Sequence, residues 1–165
     1  FFAAAACVKY ALPLLRGSHG KILNISSVAA VYPIPFQAFY SASKAALNAL
    51  TLALRNETRG FQISVGSVML GDVKTGFTAA RRKQELGDDI YQGAIRGSVA
   101  VMEKDERQGM NPQLIGEKIC ALCLRRRLPP VTTIGASYKL LVFLGRLLPP
   151  SLIFFLLGKM YVKRP

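Results

Sequence analysis

Acidic residues are scarce in this chain. Nine Asp and Glu stand against 22 Lys and Arg, a formal charge of +13 over 165 residues. Trp is absent, His19 is the single histidine, and there are three cysteines. Three thiols cannot all pair. Cys120 and Cys123 would need two further ligands to hold zinc, and one histidine in a turn (Gly17-Ser18-His19-Gly20) does not supply them. The pair is therefore expected to be buried helix thiols, and the lack of a disulfide scaffold suits a reducing compartment. Long apolar runs are also missing. Residues 138–162 form two apolar helical pieces broken by Pro149-Pro150, the first interrupted by Arg146. Neither approaches the ~20 continuous residues of a membrane span. The start has no basic segment or cleavage site of a secretory signal. It has no Met either, and it opens at Phe1 inside an apolar pattern, which reads as a fragment of a longer protein.

What is present is half apolar, enough for one domain with a sizeable core. The positive charge is uneven. From Lys118 onward there are nine Lys or Arg and no Asp or Glu. Such a region can face anionic lipid, face nucleic acid, or simply be basic. No nucleic-acid module pattern is recognisable, and the interleaved apolar residues favour lipid. Residues 138–162 are read as core or substrate lid ahead of an interfacial membrane-lying segment.

Hydrophobic periodicity orders the chain. Residues 1–16 read as a helix that Pro13 bends or finishes. Residues 21–27 read as a short buried strand, 32–37 as a loop set by two prolines, and 38–59 as a long helix stopped by Gly60. Residues 62–69 alternate into a second strand, and strand–helix–strand with this crossover length is a βαβ unit of a parallel sheet. Residues 78–108 are polar, with Arg81-Arg82-Lys83, Glu85, Asp88 and Asp89, and are read as helices on a mobile flap. Asn111-Pro112 begins a helix over 112–126, with Arg125-Arg126-Arg127 suiting the dipole at its end. Residues 129–135 are expected to form a last strand.

Three items fall on one edge of such a sheet, the carboxyl ends of its strands, where open α/β sheets bind ligands. Ser26 and Ser27 end the first strand; alternatively they only bond turn backbone. Tyr40 and Lys44 lie four apart on the next helix, so phenol and ammonium share one face. A neighbouring cation favours the ionised phenol, and a proton donor works best when its pKa approaches the working pH. The bland alternative is a buried tyrosine beside a solvated lysine. The third item is the loop Leu70-Gly71-Asp72-Val73-Lys74-Thr75 leaving the second strand.

The set Asn24-Ile25-Ser26-Ser27, then Tyr40-Ser41-Ala42-Ser43-Lys44, then the Gly71 loop closely resembles the classical short-chain dehydrogenase/reductase family. That resemblance implies a Rossmann-like, doubly wound parallel α/β sheet truncated in its amino-terminal half. Residues 1–165 would be the carboxyl-terminal part of a single NAD(P)-binding domain, with 138–165 as an apolar, basic extension. It implies Tyr40 as catalytic acid/base, Lys44 lowering its pKa and bonding the nicotinamide ribose, and Ser27 holding the substrate oxygen. Gly71, Val73 and Thr75 would cradle the nicotinamide. NADP is favoured over NAD, the substrate is a hydrophobic carbonyl or alcohol compound, and the intact protein is expected to be a cytoplasmic homodimer with peripheral membrane contact through 138–165. The family's glycine-rich phosphate loop, cofactor selector and relay asparagine would all lie upstream of Phe1. The family pattern has proline where Leu70 stands, so the turn into Gly71 is less constrained here.

Overall fold

A computed structural model describes residues 1–76, 80 and 86–162. Its centre is a three-stranded parallel sheet in the order β1 (Lys21–Ser27), β2 (Ser64–Leu70), β3 (Val131–Ile134). Lys21 pairs with Ser64 and Ser27 with Leu70, so β1 and β2 end level with one another. β3 joins late, from Ser67 opposite Val131. β2 is flanked on both sides, and Val65 through Met69 are all buried. A strand covered on both faces loses the polar–apolar alternation of a half-exposed one.

Helices α1 (Phe2–Ser18) and α2 (Ala38–Glu57) cover one face of the sheet. Val8, Leu54, Ile63 and Val65 form the core there. Helix α4 (Pro112–Cys123) covers the other face through Ile115 and Leu122 against Val68, Leu128 and Ile134. Between β2 and α4 lies α3 (Ala94–Arg107), and after β3 come α5 (Ala136–Leu144) and α6 (Pro150–Tyr161). These last two close over the carboxyl end of β2, where Met69, Val28, Tyr32 and Val142 make a third cluster.

Polar groups lock α2 to the sheet. Asn24 Nδ2 donates to Thr51 Oγ1 at 2.9 Å, and Ser67 Oγ to Asn48 Oδ1 at 3.0 Å. Buried polar groups need such partners, and here they fix the helix at one register on the sheet. Arg55 bonds the carbonyls of both Val65 and Leu128, bridging β2 to the segment that has not yet begun pairing as β3. Lys21 Nζ donates to the Cys123 carbonyl at 2.7 Å, placing a cation from β1 at the carboxyl end of α4.

Several expectations are corrected. The helix expected over 1–16 runs Phe2–Ser18, so of the two effects expected of Pro13 it does not finish α1, which continues five residues further and closes at His19 in the left-handed conformation. Proline leaves the carbonyl four residues back, at Lys9, without its donor. Lys9 is exposed, so water can take that role. Cys120 and Cys123 are exposed rather than buried, because Ile115, Ile119 and Leu122 form the inward stripe of α4 and the thiols fall beside it. Helix α4 stops at Cys123, so Arg125–Arg127 lie beyond it rather than in its last turn. Within the expected flap, α3 buries Ala94, Ser98 and Met102, and residues 78–79 and 81–85, including Arg81-Arg82-Lys83 and Glu85, lie outside the described residues.

Leu128, 1% exposed, packs between β2 and α4. Leu128→Ala is expected to cost about 2–5 kcal/mol, read by urea unfolding. A change under about 1 kcal/mol would mean that this cluster is not the core it looks to be.

Candidate active site

The carboxyl ends of β1 and β2 open onto a cavity of about 560 Å³. Ser27, Tyr40, Lys44, Gly71, Val73 and Thr75 all line it. They come from three separate stretches of chain, and the parallel register of β1 and β2 is what brings their exits together.

Ser27 is the last residue of β1, and its Oγ accepts the Ala29 N–H at 3.1 Å, capping the short turn at Val28–Ala30. The turn-bonding reading of Ser27 is thus correct as far as it goes. It does not exclude a second role, since a hydroxyl that accepts through a lone pair still has its proton to donate. Ser26, which lines the same cavity, is buried and donates to the Lys44 carbonyl at 3.2 Å.

The bland reading of the Tyr–Lys pair is reversed. Tyr40 is 37% exposed, and Lys44 is the half-buried member. Lys44 Nζ donates to the Ile25 carbonyl at 2.9 Å and lies 5.8 Å from the centre of the Tyr40 ring. Burial holds the Lys44 pKa below its usual value, since leaving water penalises the charged form. The helix is thus tied to β1 twice at one residue, by the Lys44 ammonium and by its carbonyl.

The Gly71 loop is held from both sides. Met110 N–H donates to the Asp72 carbonyl at 2.9 Å, and Lys74 N–H to the Met110 carbonyl at 3.0 Å. Gly109 makes this approach possible, because a side chain there would strike the Asp72 backbone. On the other side the Tyr138 ring lies against Gly71, where any Cβ would collide with it. The Tyr138 hydroxyl donates to Asp72 Oδ2 at 2.6 Å and accepts the Asp72 N–H at 3.0 Å. Burial first, then the bond to Asp72, push the Tyr138 pKa well above the ordinary phenol value.

Asp72, Tyr138, Tyr161 and Tyr32 also line the cavity and are not among the site residues expected from the sequence, although 138–162 is read there as core or a substrate lid. Asp72 carried a signal, as an acid in a basic chain on a ligand-edge loop. Tyr138 and Tyr161 sit in apolar helices, where a phenol reads as core. The opposite wall is apolar, with Ile34, Met102, Leu141 and Leu157. Among the described residues no cluster of histidine, cysteine and carboxylate groups could hold a metal.

The sequence pattern of the short chain dehydrogenase family matches residues 1–86. The chain belongs to the short-chain dehydrogenase family. It is 39% identical over 144 residues to a 3-ketodihydrosphingosine reductase of Bacteroides thetaiotaomicron, which covers 86% of this chain and 54% of that protein. It is 31% identical over 153 residues to a probable short-chain type dehydrogenase/reductase of Helicobacter pylori, covering 92% of this chain and 56% of that one. The chain spans about half the length of the curated relatives it matches. Among solved structures, a short-chain dehydrogenase from Streptomyces avermitilis superposes with a TM-score of 0.68 at 22% identity, over 89% of this chain and 54% of that one. L-sorbose reductase from Gluconobacter frateurii, complexed with NADPH and L-sorbose, gives 0.61 at 23% identity, over 81% and 53%. These likenesses establish the Rossmann-type parallel sheet of the family, of which the chain forms about half.

Tyr161 yields a pH prediction. Burial first, then the Asp72 and Asp105 carboxylates, push its pKa from 10.0 up to about 12. Across that window the folded chain keeps a proton that the unfolded chain releases, so the stability it contributes below pH 10 is lost as pH rises towards 12. Tyr161→Phe should flatten the fall in urea-unfolding free energy over that range. Identical slopes for parent and variant would contradict the assignment.

Proposed function

We propose that the protein containing this chain is an NAD(P)(H)-dependent oxidoreductase, with NADP preferred, that interconverts a carbonyl and an alcohol on a hydrophobic, lipid-like substrate. The chain would be the carboxyl-terminal part of a single cofactor-binding domain. The observation that carries the reading is the meeting of Ser27, Tyr40 and Lys44 with the Gly71 loop around one cavity.

The residues present suit the nicotinamide-ribose end of such a cofactor. Lys44 spends one ammonium hydrogen on the Ile25 carbonyl, leaving two to donate to ribose hydroxyls. Gly71, Val73 and Thr75 offer a loop whose backbone can lie against a flat ring. The bound cofactor supplies or accepts the hydride. In reduction, Tyr40 gives its phenolic proton to the substrate oxygen while the carbonyl carbon takes the hydride, and the product is the alcohol. The nearby Lys44 ammonium stabilises the phenolate left behind. Ser27, its oxygen anchored by Ala29, keeps its proton and donates it as a hydrogen bond to the same substrate oxygen, which orients it. In oxidation the single transferred proton returns from the alcohol to Tyr40.

The apolar wall of Ile34, Met102, Leu141 and Leu157 supports a hydrophobic substrate, as does the name of the Bacteroides relative, a reductase of a keto sphingoid lipid. Two exposed surfaces support further partners. Phe39, 93% exposed, and Tyr10 and Leu14 leave α1 and α2 with apolar outer faces that suit a homodimer. Leu140, Phe143, Phe154 and Phe155 are exposed on α5 and α6 among Lys139, Arg146 and Lys159. That mixture suits peripheral contact with an anionic membrane facing the cytoplasm. No helix among the described residues is long and apolar enough to cross a membrane. The competing reading is a non-catalytic module kept for dimerisation or membrane contact.

Tyr40→Phe in the intact protein tests the two readings. Ketone reduction followed by NADPH absorbance should fall by at least about a hundredfold, with NADPH affinity nearly unchanged; undiminished turnover sinks the catalytic assignment. Phe39→Asp and Phe155→Asp separate the surfaces. The first should turn a dimer into a monomer by light scattering, and the second should abolish pelleting with anionic vesicles. Equal behaviour of variant and parent in either assay removes that partner.

A further inference from the structure

We infer that Tyr138 is a positioning residue that sets the Gly71–Thr75 loop for the nicotinamide end of the cofactor through its paired hydrogen bonds to Asp72. The inference rests on the cofactor reading above and goes beyond it, since Tyr138 lies 66 residues from Asp72, on a helix outside the catalytic trio.

Leu70 precedes Gly71, so no proline ring restrains the turn out of β2. A loop that must present backbone to a planar ligand needs its order from elsewhere, because any freedom it keeps is lost on binding. Met110 holds one flank through the Asp72 carbonyl and the Lys74 N–H. Tyr138 holds the other: its ring covers Gly71, and its hydroxyl takes the Asp72 N–H and gives its proton to the Asp72 carboxylate. The bond to a carboxylate is of the stronger, charge-assisted kind. The same helix also reaches across the cavity, where the Tyr32 hydroxyl donates to the Leu141 carbonyl at 3.2 Å. Tyr32 follows the exit from β1 as Asp72 follows the exit from β2. Helix α5 thus spans both lips of the site and fixes their separation.

Tyr138→Phe in the intact protein keeps the ring over Gly71 and removes both hydrogen bonds. Amide hydrogen exchange at Asp72 through Thr75, followed without cofactor, should speed up about tenfold, and the NADPH dissociation constant should rise about tenfold. Exchange in the core of β1 and β2 should stay that of the parent, whereas a general loss of stability would speed exchange there as well and would count against a local positioning role. Unchanged exchange in this loop, or unchanged NADPH affinity, overturns the proposal. If the parent protein binds no NADPH, the cofactor reading fails and the positioning role with it. That result is told apart from failure of the clamp alone, because loop exchange would still respond to Tyr138→Phe.

Discussion

The Lys44 ammonium against the Ile25 carbonyl is the contact on which the site depends. It joins the long helix to the strand that carries Ser27, and the Ser26 hydroxyl on the Lys44 carbonyl repeats the join one residue along. The two bonds leave α2 little freedom to slide or rotate against β1. Tyr40, one turn earlier on the helix, is therefore presented at the strand's carboxyl end. A lysine half out of water is costly unless its hydrogens find acceptors. The Ile25 carbonyl meets part of that demand, and a ribose would meet more of it.

The rest of the architecture brings other segments to that fixed point. Level ends of β1 and β2 place the Ser27 turn and the Gly71 loop side by side. Glycine at 71 and 109 permits the approach of Tyr138 and of the Asp72 backbone, and side chains there would push the loop out of place. Helices α5 and α6 then close the cavity with apolar residues on the inside while leaving others exposed outside.

Much of this was legible in the sequence, for local reasons. The strands at 21–27 and 64–70 and the helix at 38–57 announce themselves by periodicity, and Ser27, Tyr40 and Lys44 lie close enough along the chain for spacing to relate them. What escaped depends on distant contacts or on solvent. Tyr138 meets Asp72 across 66 residues, and Tyr32 meets Leu141 across 109, distances over which no periodic pattern carries information. Pro13 reads as bending or finishing its helix, and that it does not finish it depends on the exposure of Lys9, which could not be foreseen. Cys120 and Cys123 looked buried because the helix around them is apolar on more than one side, and only the sheet decides which stripe turns inward.

A crystal structure of the intact protein with NADPH bound tests the central claim most directly. The account predicts the nicotinamide ring between Tyr40 and the Gly71–Thr75 loop, with the ribose hydroxyls on Lys44 Nζ and the Lys44–Ile25 contact retained. A nicotinamide bound elsewhere, or Lys44 turned away from the ribose, would contradict it.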